Sequence, residues 1–325
     1  MIVRWGLAEY PGLLEELGMR RPLLVTSKRW DSLELPAAGR FTGVRQHVPK
    51  ETVEEATAAA AGADGLVALG GGSAIDTTKA VSVATGLPVV SIPTTYSGAE
   101  WATGFGVRDE ERGVKVGGAG ARIEGIVYEP ELTLGLPRGE SGGTALNALA
   151  HCAEALYVKG RNPESDEHAL AGARRIARSL PVVLEDGADR EARRELLGGA
   201  MHAGAALGGA GLGLGHAMAQ ALGGRYGISH GALNAVCLPP ALRFNEPAAG
   251  AEIARFGEAA GAEADAATKV EELARLAGFE RLRDLGVPEP ELPLVAEAAA
   301  QRAGAKANPR PASPAEIADL LHSVW

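Results

Sequence analysis

Short apolar runs alternate with segments of helical spacing through the first part of the chain. Pro22-Leu23-Leu24-Val25-Thr26 follows a helical stretch over 11–18 and reads as a short buried strand. A helix is predicted over 51–61, where an acidic first turn suits the positive end of the helix dipole. Gly65-Leu66-Val67-Ala68-Leu69 reads as a second buried strand, followed by a helix over 74–85. Pro88-Val89-Val90-Ser91-Ile92-Pro93 is a third strand, bounded by prolines. Strands without polar alternation, separated by helices, predict a parallel sheet covered on both faces.

Residues 101–135 break this pattern. Glycine, charge and short β-like pieces (Phe105-Gly106-Val107 and Gly125-Ile126-Val127-Tyr128) predict an irregular hairpin region closing the first half. From Ser141 onward the spacing is almost wholly helical, with helices expected over 164–180, 189–206, 214–222 and 253–276. The expected organisation is an α/β domain over 1–138 and an all-α domain over 139–325, cut near Pro137–Gly139. No internal repeat or long low-complexity linker is evident.

Composition narrows the classes of function. With 325 residues and 46% hydrophobic content the chain can bury one large or two medium cores. Aromatics are only 4%, so those cores must be built from Ala, Val, Leu and Ile. A net charge of −9 disfavours nucleic acid and anionic membrane surfaces as partners, and any anion site must be local. The two cysteines, Cys152 and Cys237, lie in apolar small-residue stretches and read as buried thiols. The first residues carry no signal-peptide pattern, and no apolar run reaches the roughly 20 residues that a membrane span needs. A soluble cytoplasmic protein with a small-molecule substrate is expected.

Gly70-Gly71-Gly72-Ser73 joins a buried strand to a helix. Such a turn lets the backbone approach a pyrophosphate, and the N–H groups at the helix start point at it. The order is not GxGxxG, so the common dinucleotide fingerprint is absent. Asp76 and Lys79 stand one turn apart, as an ordinary exposed i,i+3 pair would. The third strand runs into Thr94-Thr95-Tyr96-Ser97-Gly98-Ala99-Glu100, and hydroxyl groups at a strand's carboxyl end suit a cofactor's phosphate or ribose.

Of the seven histidines, His47, His168, His202 and His322 sit in ordinary contexts. His151, His216 and His230 do not. Asn147 and His151 share one face of a helix that is otherwise apolar, and buried polar groups need partners. His216 lies in Gly211-Leu212-Gly213-Leu214-Gly215-His216-Ala217-Met218, and His230 stands in Ser229-His230-Gly231-Ala232-Leu233-Asn234. A lone histidine in such a setting is usually a satisfied core residue; three in one helical domain read as a converging site.

These segments carry a resemblance. GGGSAIDTTKA resembles the GGGSxxDxxK signature shared by iron-containing alcohol dehydrogenases, glycerol dehydrogenases and dehydroquinate synthases. PTTYSGAE is similar to the PTTYAGSE motif of the maleylacetate reductase branch, and LNALAHCAEALY to its MNAxAHxxEALY. EPELTLGLP resembles that branch's DPELTLSLP. HAMAQALGG and SHGALNAV match the two later histidine motifs of the superfamily. The resemblance covers roughly residues 1–250. It implies a dehydroquinate synthase-like architecture, with a Rossmann-like parallel sheet followed by the helical domain, and a homodimer. It departs from the branch at Ala217, where a Lys is usual, and at SHGALNA, which is nearer the alcohol dehydrogenase form.

The resemblance implies NADH or NADPH as cofactor, with pyrophosphate at Gly70, Gly71, Gly72 and Ser73 and with Asp76 nearby. Thr94, Thr95 and Ser97 would line the cofactor cleft between the domains. The superfamily holds a divalent metal, Fe or Zn, with an Asp and three His. Here Asn147 takes the Asp position beside His151, His216 and His230, which removes the only anionic ligand and weakens any metal site. In the maleylacetate reductase branch, Asn is common there and the enzymes work without metal. The expected activity is hydride transfer from NAD(P)H to a carbonyl or enoate substrate. His216 and His230 would orient the carbonyl, one of them donating the proton, with His151 and Asn147 hydrogen-bonding the substrate. Ser27, at the end of the first strand, replaces the Asp of many relatives. With Lys28 and Arg29 beside it, NADPH is expected to be tolerated. The alternatives are a metal-dependent alcohol dehydrogenase acting on a simple alcohol or aldehyde, a dehydroquinate synthase-type lyase, and a non-catalytic nucleotide-binding relative. Lys and Arg are absent from 141–158, which counts against the lyase.

Overall fold

The computed structural model describes residues 1–109 and 114–325. The chain forms two compact units: Met1–Thr95 with Ala99–Gly135, and Tyr96–Gly98 with Leu136–Trp325.

In the first unit the elements run β1 (Ile2–Trp5), α1 (Tyr10–Glu16), β2 (Pro22–Val25), β3 (Gly39–Phe41), α2 (Lys50–Ala59), β4 (Gly65–Gly70), α3 (Gly72–Thr85), β5 (Pro88–Pro93), β6 (Phe105–Asp109), β7 (Val114–Gly118) and β8 (Arg122–Tyr128). Six strands form one sheet in the order β1-β8-β5-β4-β2-β3. Every pairing in it is parallel. Successive residues feed opposite faces. Leu24, Val67, Val90 and Val127 pack with Tyr10, Leu13 and Leu14 of α1. Leu23, Leu66 and Val89 pack with Ala56 of α2 and Val81 of α3. Covering both faces is what the unbroken apolar runs require.

Two expectations change here. Gly125-Ile126-Val127-Tyr128 is not part of a hairpin: β8 inserts between β1 and β5 in the parallel sheet. All four residues are buried, and Gly125 lets Leu13 and Val90 close over the strand. The hairpin is confined to the antiparallel pair β6–β7. Residues 110–113, which fall within the predicted hairpin, lie outside the described residues. The helix after the glycine turn starts at Gly72, two residues earlier than its apolar spacing indicates.

The second unit is helical: α4 (Arg138–Ala155), α5 (Pro163–Glu185), α6 (Arg190–Ala210), α7 (Leu214–Tyr226), α8 (His230–Ala259), α9 (Ala266–Ala277), α10 (Leu292–Ala300), α11 (Ala303–Ala307) and α12 (Pro314–Ser323). The single helix expected over 253–276 is instead two. Gly261 takes φ +69° after α8, and Asp265 restarts the chain by accepting a hydrogen bond from the Thr268 N–H. α8 carries Pro239, Pro240 and Pro247 and is kinked at Ala249. α7 is buried along most of its length in a core of Leu214, Met218, Leu222, Leu233, Val236 and Val295. Cys152 and Cys237 are buried free thiols. Among the described residues, no helix is long and apolar enough to cross a membrane.

Candidate functional site

The glycine turn closes β4 and opens α3. Gly70 has φ +148°, a conformation that side-chain-bearing residues avoid. A Cβ on Gly71 would lie 2.7 Å from the Thr95 Cγ2, so glycine here lets the two segments touch. No side chain caps the N-terminus of α3, which leaves its first N–H groups for an anion. Thr95 Oγ1 is buried without a hydrogen-bond partner. The Thr94 N–H donates to the Gly70 carbonyl. A cradle that a Cβ would fill, beside an orphaned hydroxyl at the carboxyl end of β5, fits a dinucleotide's phosphates.

The Asp76–Lys79 pair is not exposed. Lys79 Nζ lies 2.9 Å from Asp76 Oδ1, and its side chain is 1% exposed. It also donates to the carbonyls of Ala99, Ala102 and Gly104. Asp76 Oδ2 accepts from the Gly106 N–H at 3.3 Å. Lys79 therefore binds the segment after the threonine loop to α3. Within that segment, buried Glu100 accepts from the Tyr128 hydroxyl at 2.7 Å, and burial raises its pKa. Ser27 lies just past β2 and bridges to Gly43. Arg29 is already engaged, donating to the Gly135 carbonyl at 2.6 Å and lying over the Trp30 ring. Lys28 remains an exposed cation beside Ser27.

The threonine loop divides after Thr95. Tyr96–Gly98 belong with the helices because α4 and α6 hold them. The Tyr96 N–H donates to Thr144 Oγ1 at 3.3 Å. Buried Arg193 donates to the Tyr96 hydroxyl and to Ser141 Oγ, each at 3.1 Å. Ser97, grouped by its motif with the cofactor residues, offers its carbonyl to Asn147 Nδ2 at 3.1 Å.

That contact orients a chain of polar groups. A backbone carbonyl only accepts, so Asn147 must present its NH₂ to Ser97. The same nitrogen lies 3.4 Å from His151 Nε2. His151 then accepts at Nε2 and carries its proton on Nδ1, which is buried without a partner. Burial first, then the neighbouring His216 and His230, push the His151 pKa well below its usual value, so the ring is neutral. Asn147 Oδ1 accepts from Asn234 Nδ2 at 2.6 Å.

His216 is fixed from the other side. Its Nδ1 lies 2.7 Å from Glu154 Oε2 on α4. Its Nε2 is buried without a partner. The His151 and His216 rings stack with centroids 4.7 Å apart and planes 16° apart. The His216 and His230 rings are 5.7 Å apart and tilted by 54°. His151 and His216 are buried, whereas His230, at the first position of α8, is exposed. The structure thus gathers Asn147, His151, His216 and His230 within one helical unit.

Glu154 and Asn234 are site residues that motif reading passed over. Glu154 has a sequence signal: with Asn147 and His151 it makes an i, i+4, i+7 polar stripe on an apolar helix. Asn234 has the same relation to His230, one turn on.

As arranged, these residues do not fit a divalent ion. The Asn147 carbonyl oxygen is committed to Asn234, and its N–H occupies the His151 Nε2 lone pair. The nearby carboxylate, Glu154, is spent on His216 Nδ1 and on backbone N–H groups. Among the described residues, no group of three or more His, Cys, Asp or Glu side chains is disposed to hold a metal.

In the first unit a parallel sheet ends in an uncapped glycine turn, which suits a phosphate, and the helical unit holds two buried imidazole nitrogens without hydrogen-bond partners. Comparison with known proteins identifies the chain's family. The iron-containing alcohol dehydrogenase model matches residues 3–123, and the C-terminal model of the Fe-containing alcohol dehydrogenase family matches 142–325. The maleylacetate reductase of Burkholderia cepacia is 38% identical over 294 residues, 89% of this chain and 82% of that protein. The crystal structure of maleylacetate reductase from Agrobacterium tumefaciens superposes with a TM-score of 0.91 at 33% identity, covering 100% of this chain and 95% of that one. The corresponding structure from Rhizobium sp. strain MTP-10005 gives 0.90 at 34% identity, covering 100% and 95%. The chain belongs to the iron-containing alcohol dehydrogenase family. Within it the chain stands in the maleylacetate reductase-like branch and is an NAD(P)-dependent oxidoreductase.

Proposed function

We propose that the protein reduces maleylacetate, or a closely related oxo-enoate dianion, at the expense of NADH or NADPH. The observation that carries this reading is the pair of buried imidazole nitrogens without partners, His151 Nδ1 and His216 Nε2. Buried polar atoms left unpaired are costly; a substrate oxygen would satisfy His151 Nδ1–H directly, and His216 Nε2 once that nitrogen has taken up a proton.

A bound dihydronicotinamide supplies the hydride, and one proton taken up from a histidine or from solvent completes the reduction. Residues 1–138 form the nucleotide-binding part, with Gly70, Gly71, Gly72 and Ser73 receiving the pyrophosphate and Thr94 and Thr95 hydrogen-bonding the cofactor. Residues 139–325 supply the chemistry. His151 Nδ1–H donates to the substrate carbonyl oxygen and stabilises negative charge developing there. His216 and His230 orient the substrate, and one of them delivers the proton. Asn147 holds the His151 tautomer. Ser27 carries no charge to repel a 2′-phosphate, and Lys28 beside it favours one, so NADPH is accepted as well as NADH. A cytoplasmic homodimer completes the reading.

The test is nicotinamide oxidation followed by absorbance with maleylacetate and with a panel of small aldehydes, each run with and without a chelator. Turnover of maleylacetate, insensitive to chelator, is expected. Turnover of aldehydes alone, abolished by chelator, overturns the reading in favour of a metal-dependent alcohol dehydrogenase.

A further inference from the structure

Glu154 is fully buried, and its carboxylate meets three donors. Oε2 accepts from the Gly213 N–H at 2.6 Å and from His216 Nδ1 at 2.7 Å. Oε1 accepts from the His216 N–H at 3.1 Å. Gly213 and His216 flank the start of α7, so one side chain of α4 both caps that helix and grips the imidazole in its first turn. A negative group is favoured at this end of a helix. The approach is tight: a Cβ on Gly213 would lie 3.0 Å from Glu154 Cδ, and one on Gly215 would lie 3.0 Å from Oε1. Gly213 and Gly215 make room for the carboxylate.

We infer that Glu154 is a positioning residue for the reduction, holding His216 with its Nδ1 proton on the carboxylate, so that Nε2 faces the reacting group and a proton taken up there from solvent passes to the substrate. The inference rests on the reading of His216 as a group that contacts substrate. A carboxylate acceptor at Nδ1 defines the tautomer because the oxygen can only accept. In a hydrolase triad, replacing the carboxylate that plays this role by an amide costs about 10⁴ in turnover with the geometry intact. The caging by two backbone N–H groups keeps the Glu154 oxygens from rotating away from the ring.

The test begins with unaltered protein carrying ¹⁵N-labelled histidine. His216, assigned by comparison with His216→Ala, should carry its proton on Nδ1 rather than Nε2 when the ring is singly protonated. A ring protonated at Nε2 instead overturns the inference without any variant of Glu154. The second arm is Glu154→Gln. Its kcat should fall by about 10² to 10⁴, with KM and the NADH dissociation constant within about threefold of the parent, and its His216 signal should shift toward the other tautomer. A folded Glu154→Gln protein with parental kcat and an unchanged ring signal overturns the inference while leaving the role of His216 standing. Undiminished turnover in His216→Ala overturns the reading of His216 itself, whatever Glu154 does.

Discussion

His151 and His216 lie ring on ring, with centroids 4.7 Å apart, yet each is held by a different partner and keeps a different nitrogen free. Asn147 occupies Nε2 of the first, and Glu154 occupies Nδ1 of the second. Two imidazoles in contact therefore have opposite ring nitrogens available. Their removal should not be equivalent. His216→Ala should lower kcat by about 10² to 10⁴, the range for a lost acid–base group. His151→Ala, which removes a neutral donor, should cost about 10² to 10³ in kcat, as the loss of an oxyanion donor does. Steady-state kinetics on both variants checks this.

Asn147 should resist replacement by the acid that the motif resemblance implies for this position in the superfamily. A carboxylate at 147 has no N–H for the Ser97 carbonyl or for His151 Nε2, and it would face the former acceptor to acceptor. Asn147→Asp should lower kcat by at least about tenfold while cofactor affinity stays unchanged. The unaltered enzyme should keep its full rate after exhaustive dialysis against chelator. Metal analysis of both proteins, alongside the kinetics, decides the matter.

The Lys79–Asp76 pair, its lysine buried and its carboxylate partly exposed, should matter for stability. Lys79→Met leaves Asp76 without its cation and three backbone carbonyls without a donor. Breaking a fully buried pair costs about 3 to 5 kcal/mol, and the solvent reaching Asp76 puts the expected loss at the lower end of that range. Denaturant unfolding should show a loss of that order, and Lys79→Arg should recover little of it because a fork does not fit three converging carbonyls.

Away from the candidate site, His202 Nδ1 lies 2.8 Å from His168 Nδ1 between α5 and α6. Burial, then His168 and Arg175, push the His202 pKa from 6.5 down to about 4. The folded value lies below the unfolded one, so the unfolded chain binds more protons between them. The contribution of His202 to stability is complete above the unfolded value and is lost as pH falls through the folded one. Melting temperature should drop between about pH 6.5 and pH 4, and His202→Asn should flatten that limb. An acid limb of the same slope in the variant would contradict the assignment.

Cofactor choice should respond to position 27. Ser27→Asp places a carboxylate at the end of β2, where, on the proposed placement of the cofactor, it would accept from a ribose 2′-hydroxyl and repel a 2′-phosphate. kcat/KM for NADPH should fall at least about tenfold relative to that for NADH. Arg29 is tied to the Gly135 carbonyl, so Lys28→Ala should reduce NADPH use more than Arg29→Ala does.

Much of this was legible before any coordinates. Strands with no polar alternation, such as 65–70, can only be buried on both faces. A run of glycines between such a strand and a helix leaves N–H groups exposed. The identity of His151, His216 and His230 as unusual residues came from their small, apolar surroundings. β1 and β3 were not legible: they are four and three residues long and only partly buried, so they carry no periodicity of their own. β8 was misread because a strand and a hairpin arm share the same local pattern, and only the partner strand distinguishes them.

The order of residues determined which groups are polar in apolar settings, where the chain turns, and that Asn rather than Asp stands at 147. Tertiary structure alone decided which nitrogen of each imidazole is engaged, that Lys79 is buried, and that Glu154 reaches His216 across 62 positions of chain. Tautomer and burial depend on what lies on the far side of a side chain. That neighbour is brought there by packing between elements distant in sequence, which local propensity does not encode.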